Sequence, residues 1–251
     1  MDKFNTIQKG MKSLEDVEIK GIVFDIDGTL LDYTIAQKGG LNYLYSNIKG
    51  KILSSNQQAF IDHWRTVSEL YMNQFITGHI SFKEQRILRV QDVLSKWNYE
   101  VSSEEAWEIF KLYLTGYEKN WTVYQDVLPC LTQLKEYPLG IISNGDSTQQ
   151  RKKLTHTGLF SFFDSITISN DIKTPKPNPL IFERCAKEMN LSLDEIIYIG
   201  DSLEIDAVGA SKAGSHGIWI NRFDKEYSEF DVITIFSLDE IPKIINKISL
   251  E

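Results

Sequence analysis

The chain is predicted to be a doubly wound α/β protein with a parallel sheet, interrupted after its first strand by a helical bundle. Three observations predict this. From residue 127 onward, short apolar runs alternate with helical patterns, which implies a parallel sheet covered on both faces. Several of these runs end in polar or charged residues, where open α/β sheets form their ligand crevice. Between about residues 32 and 125 the apolar residues recur at helical spacing instead, with no strand pattern.

In chain order, residues 1–19 carry no motif, and an arm or a short helix would both suit them. The first strand is expected at 20–25, through Gly21-Ile22-Val23-Phe24. Four helical stripes follow: Leu41, Leu44, Tyr45 and Ile48; Phe60, Trp64, Val67 and Tyr71; Ile87, Val90, Leu94 and Trp97; Ala106, Ile109, Phe110, Tyr113 and Tyr117. Ser81-x-x-Glu84 and Ser102-x-x-Glu105 have capping-box spacing. Further strands are expected near 139–143, 164–168, 195–200, 216–220 and 232–236, with helices near 127–136, 147–158, 179–190 and 203–214. The second and fourth of these helices should stop near Gly158 and Gly214. The expected division is a core of 1–31 and 126–251 and an inserted helical cap of 32–125.

The chemistry-bearing residues stand at the ends of apolar runs. Asp25-Ile26-Asp27-Gly28-Thr29 follows the first run; such a string arises by chance in roughly one chain in four hundred of this length. Read alone it is an acidic turn. It does not stand alone. Leu139-Gly140-Ile141-Ile142 leads into Ser143-Asn144-Gly145, and Ser165–Ile168 is followed by Thr174-Pro175-Lys176-Pro177-Asn178-Pro179. Ile196–Ile199 leads into Gly200-Asp201-Ser202 and then Asp206. Clustered carboxylates raise one another's pKa, and a divalent cation with oxygen ligands is the simplest compensation. Asn178 with Pro179 reads as a helix N-cap and first helical residue, and the prolines stiffen the loop around Lys176.

These four motifs, in this order and spanning about residues 20–206, resemble those of the haloacid dehalogenase-like (HAD) superfamily of phosphohydrolases. The resemblance implies a Rossmann-like core and Mg²⁺ as cofactor. It implies Asp25 as nucleophile, forming an aspartyl-phosphate, and Asp27 as the acid and base that serves the leaving oxygen and then water. Asp25, Asp201 and the Asp27 carbonyl would hold the metal, and Asp206 would support its shell or orient Lys176. Ser143, Lys176 and backbone N–H groups around Gly28 and Asn144 would hold the phosphoryl oxygens. Ile205 departs from the pattern, since many relatives carry Asn before the last aspartate. Haloacid dehalogenases themselves use a non-acidic residue where this chain has Asp27, because an expelled halide needs no proton. An acid there favours a phosphate ester.

The leading expectation is therefore a Mg²⁺-dependent phosphatase acting on a small-molecule phosphate ester. The Gly78-x-Ile80 and Arg86 pattern, with the cap's length, resembles the nucleotidase and acylneuraminate-phosphate phosphatase branch; nucleoside monophosphate is the first candidate substrate. Tyr33, Thr34, Arg86 and Arg89 are the cap residues expected to face substrate, although aromatic stripes and helical arginines more often serve packing or a solvated face. Alternatives are a phosphomutase, against which stands the lack of a His-x-x-x-Trp-Lys string after the first motif, and a non-catalytic binding protein on the same fold. With 42% hydrophobic and 25% charged residues the composition is that of a globular protein, and a net charge of −8 argues against a nucleic-acid surface. Cys130 and Cys185 read as buried small hydrophobes in a reducing compartment. No apolar run approaches a membrane span and no signal-peptide pattern opens the chain, so a cytoplasmic location is expected.

Overall fold

An uninterrupted apolar run has no face for water, and β1 (Gly21–Phe24) is accordingly buried at every position. The computed structural model describes residues 18–52, 56–226 and 232–248; residues 1–17, whose conformation the sequence leaves open, lie outside this set. After β1 come four helices: α1 (Tyr33–Ile48), α2 (Gln57–Ile76), α3 (Phe82–Ser95) and α4 (Ser103–Glu118). The chain then alternates: α5 (Val127–Gln133), β2 (Leu139–Ser143), α6 (Ser147–His156), β3 (Ser165–Ile168), the short α7 (Ser169–Ile172), α8 (Pro179–Met189) and β4 (Ile196–Gly200). A π-helix (Leu203–Val208) runs into α9 (Gly209–Ala213), and β5 (His216–Ile220), β6 (Ile233–Ile235) and α10 (Ile241–Ile248) follow. Two compact units result: residues 1–32 with 123–251, and residues 33–122.

The first unit is a six-stranded sheet in the order β3-β2-β1-β4-β5-β6, every neighbouring pair parallel. The chain winds outward from β1 to β3, then crosses to β4 on the other side of β1. The topological switch therefore lies at β1, and its carboxyl end is where a ligand crevice is built. Register fixes what meets there. Phe24 pairs with Ile141 on β2 and Ile199 on β4, so Asp25 is one step beyond both pairings, with Ser143 and Asp201 close behind. Under the sheet, Val23, Ile142 and Tyr198 pack on Ile181, Phe182 and Cys185 of α8. Cys130 and Cys185 are free and buried, as their reading as small hydrophobes expects.

The second unit is all helical. Leu41, Leu44, Tyr45, Ile48, Phe60, Trp64, Val67, Ala106, Ile109, Phe110, Tyr113 and Tyr117 are buried, as the stripes predict. In α3 the buried face is turned from the predicted one: Gln85, Arg86, Arg89, Val90, Val93 and Leu94 face inward, while Ile87 keeps part of its surface. The aromatic rings of α2 and α4 cause this, because they offer π-faces that receive guanidinium groups. Helices α1 and α4 approach closely at Gly116, where an added Cβ would lie 2.6 Å from the Gly39 carbonyl oxygen. Ser81 and Glu84 form the full capping box. Ser102 caps the Glu105 amide, but the Glu105 carboxylate bonds the Tyr99 hydroxyl at 2.6 Å. Among the described residues no helix is long and apolar enough to cross a membrane.

Candidate active site

Each motif sits where a strand releases the chain. After β1, Gly28 adopts φ +90°, and a Cβ there would run into the Asp201 carboxylate, so glycine is what lets the β1 and β4 ends approach. After β4 the helix opens as a π-helix, its Ala207 amide reaching back to the Ser202 carbonyl. This wider turn carries Asp206 over the strand end, where its Oδ2 accepts the Ser202 amide at 3.0 Å. Asn178 caps α8 through the Leu180 amide with Pro179 in the first turn, as expected. The Asn144 side chain holds the Lys176 backbone from both sides: its Oδ1 accepts the Lys176 amide at 2.8 Å and its Nδ2 donates to the Lys176 carbonyl at 3.1 Å.

Lys176 is the electrostatic centre. Its side chain is 3% exposed, and its ammonium lies 2.6 Å from Asp25 Oδ1, 2.7 Å from Asp206 Oδ1 and 2.8 Å from the Tyr198 hydroxyl. Tyr198 in turn donates to the Ile142 carbonyl at 3.1 Å. Burial works against the lysine's charge, but Asp206 and Asp25 outweigh it and hold Lys176 above the usual lysine range. Burial also pushes Asp25 up to about 6, with Lys176 pulling down and Asp206 pushing up. Burial, then the charges of Asp206 and Asp25, hold Asp201 well above the usual carboxylate range. The polar neighbour that Ile205 fails to give Asp206 is supplied by Tyr198, 3.1 Å from Asp206 Oδ1.

A second network serves Asp27. Lys153 Nζ, on a side chain 2% exposed, is 2.6 Å from both carboxylate oxygens. Gln150 Nε2 donates to Asp27 Oδ2 at 3.0 Å and to Ser143 Oγ at 2.8 Å. Tyr198, Gln150 and Lys153 lie outside the sequence motifs. The one signal for the last two is their three-residue spacing on α6, which puts both on one helix face.

One oxygen from each of Asp25, Asp201 and Asp206 can be chosen so that all three lie within 4.8 Å of one another. Four carboxylates here meet two directly bonded lysine ammoniums, Lys176 and Lys153. The surplus of negative charge and the all-oxygen donor set fit a hard divalent cation such as Mg²⁺. Both Asp206 oxygens already accept hydrogen bonds, which favours its role of orienting Lys176. The Asp27 carboxylate is not in the group.

All of these residues belong to the α/β unit. The cap candidates lie in the helical unit. Tyr33 keeps 37% of its surface exposed and accepts a hydrogen bond from Gln37 at 2.9 Å. Arg86 and Arg89 are buried, Arg86 4.4 Å from the Phe82 ring centroid and Arg89 5.7 Å from that of Trp64.

Comparison with known proteins gives the family and the fold. Over 128 residues the chain is 34% identical to the glyceraldehyde 3-phosphate phosphatase of Methanopyrus kandleri, a match spanning 49% of this chain and about half (55%) of that one. It is 27% identical to the pyrimidine 5'-nucleotidase PynA of Streptococcus pneumoniae, over 80% of this chain and 84% of that one. The solved, magnesium-bound HAD-hydrolase YfnB of Bacillus subtilis superposes with a TM-score of 0.78 at 26% identity, covering 91% and 99% of the two chains. The family model for haloacid dehalogenase-like hydrolases matches residues 19–214, and the chain belongs to that family of hydrolases.

Proposed function

We propose that the protein is a Mg²⁺-dependent phosphatase of small phosphate monoesters that works through an aspartyl-phosphate on Asp25. The observation that carries this reading is the pairing of two differently held carboxylates at one strand end. Asp25 is buried and bonded to Lys176; Asp27, two residues on, is held separately by α6. An Asp25 oxygen attacks phosphorus and the ester oxygen departs with a proton from Asp27. Water then attacks the acyl-phosphate, giving a proton back to Asp27 and releasing inorganic phosphate and Asp25. Lys176 and Ser143 hold the phosphoryl oxygens as their charge shifts. When bound, Mg²⁺ would be held by Asp25, Asp201 and the Asp27 carbonyl and would neutralise phosphate charge.

The glyceraldehyde 3-phosphate phosphatase and the pyrimidine nucleotidase among the relatives support phosphate esters as the substrate class. Nucleoside monophosphates are our first choice, followed by sugar phosphates, including acylneuraminate phosphates, and phosphoglycolate. The core's chemistry is common to all of these, so discrimination is assigned to the helical unit, with Tyr33 first and Arg86 and Arg89 behind it. The rival is dehalogenation, the reaction that names the family. A proton-carrying Asp27 has no task in expelling a halide, which favours the ester. A panel of phosphometabolites and 2-haloacids, assayed for phosphate and halide release with and without Mg²⁺, tests the proposal. Mg²⁺-dependent phosphate release is expected; halide release, or full phosphate release after exhaustive chelation, would overturn it.

A further inference from the structure

Helix α6 brings to Asp27 two side chains that no motif of the family-wide chemistry includes. Lys153 has a four-carbon stem long enough to carry its charge to water. It is nevertheless 2% exposed, and its ammonium sits 2.6 Å from each Asp27 oxygen. Withdrawing an ammonium from water costs several kcal/mol unless an opposite charge meets it in good geometry. The bland explanation is a buried ion pair that helps hold α6 to the sheet. Two details speak for more. The partner is the second carboxylate of the site, not a remote structural acid. One turn earlier on the same face, Gln150 joins Asp27 Oδ2 to Ser143 Oγ, with Ser143 itself 1% exposed.

We infer that Lys153 and Gln150 are positioning residues for Asp27, fixing its carboxylate in one orientation and tying that orientation to the Ser143 hydroxyl. The inference rests on the reading of Asp27 as proton carrier to the leaving oxygen. Without the clamp the aspartate samples several rotamers. Proton delivery then loses efficiency, because a displacement of about 1 Å at a reacting group can cost about 10²-fold. Attack by Asp25 is served by Lys176 and is not directly affected.

The experiment measures kcat/KM, which reports steps up to phosphate transfer, for a series of esters from alkyl phosphates to p-nitrophenyl phosphate. Lys153→Met is expected to lower kcat/KM about 10- to 10²-fold for alkyl phosphates and only a few-fold for p-nitrophenyl phosphate, whose leaving group needs little protonation. Lys153→Arg, which restores a cation, should recover most of the loss. Gln150→Met should show the same dependence on leaving group at smaller amplitude, which keeps the test usable if Lys153→Met does not fold. In an Asp27→Asn background, Lys153→Met should cost nothing further. Equal losses across all leaving groups, or losses that add to those of Asp27→Asn, would assign the pair to fold support and overturn the inference. If Asp27→Asn itself shows no leaving-group dependence, the reading of Asp27 fails and takes the inference with it. A dependence in Asp27→Asn alone removes the inference and leaves the phosphatase reading standing.

Discussion

Lys176 in the α/β unit and Arg89 in the helical unit are both buried cations, yet they are accommodated in opposite ways. Lys176 meets two carboxylates and a phenol, all within 2.8 Å. Arg89 is 5% exposed and has the faces of Trp64 and Phe110, a hydrogen bond to the Gln85 amide oxygen, and an Nε with no hydrogen-bond partner among the described residues. The charges respond accordingly. Carboxylates raise Lys176 above its usual range, whereas burial lowers Arg89, with nearby tyrosines opposing. A buried cation therefore does not by itself mark a reactive site. The mark is an excess of opposite charge around it, a poor arrangement for stability alone that a phosphate and a metal would use.

The largest expected effect lies on the carboxylate side of this contrast. Asp25→Asn should leave no measurable turnover of any ester, because the amide cannot form the acyl-phosphate. Asp27→Asn should fall by about 10²–10⁴-fold, less for good leaving groups. Near-normal turnover in Asp25→Asn would remove the covalent mechanism. Next in size is Lys176→Met, which leaves Asp25 and Asp206 facing each other without their shared ammonium. It should depress every substrate alike, by about 10²–10³-fold, the scale of losing one preorganised stabilising group. A loss confined to some substrates would move Lys176 from chemistry to recognition.

The same cluster predicts a coupling between metal and pH. Asp25 titrates in the folded protein at about 6, against an ordinary value of 3.8. Between about pH 4 and 6 the metal-free folded state thus holds more protons than the unfolded one. By linkage its stability contribution falls as pH rises through that window. Mg²⁺ favours the ionised carboxylate, so the rise in Tm on adding Mg²⁺ should grow across the window and continue above it, since Asp201 is also held high. Melts with and without Mg²⁺ at several pH values measure this. A gain independent of pH would place the metal elsewhere. Ca²⁺, with longer and looser coordination, should bind yet inhibit turnover.

The difference between the two units also explains what was legible in the sequence. The sheet, the helical insert and Asp25, Asp27, Ser143, Lys176, Asp201 and Asp206 could be read because strand ends in a parallel sheet converge whatever the sequence distance between them. Tyr198 was hidden inside an apolar β-run, where a phenol reads as core. Gln150 and Lys153 were hidden in Ser147-Thr-Gln-Gln-Arg-Lys-Lys153, which by composition reads as a solvated helix. Their inward face depends on a contact with a residue some 120 positions earlier, and local patterning carries no trace of it. In the helical unit the stripes were legible, but the inward turn of Arg86 and Arg89 was not. Hydrophobic periodicity counts arginine as polar, whereas aromatic faces can receive its guanidinium.

The smallest expected effect tests Arg89 itself. A buried guanidinium without a carboxylate partner among the described residues is exchanged for an apolar side chain of similar length in Arg89→Met. Such replacements are often neutral or stabilising, here by up to about 1–2 kcal/mol, while Arg89→Ala should cost about 2–3 kcal/mol through the cavity it leaves. Activity is the sharper readout. Tyr33, Tyr113 and Tyr117 oppose the effect of burial on Arg89, and Tyr33 is the exposed member. If the helical unit sets specificity through that tyrosine, Arg89→Met and Tyr33→Phe should reorder a panel of nucleotide and sugar phosphates by a few-fold in the same direction. Turnover of acetyl phosphate, a substrate with almost no leaving group to recognise, should stay as it was. A panel whose ranking in Arg89→Met stays that of the unsubstituted protein would make Arg89 a packing residue, and the contrast between the two buried cations would then be one between chemistry and fold.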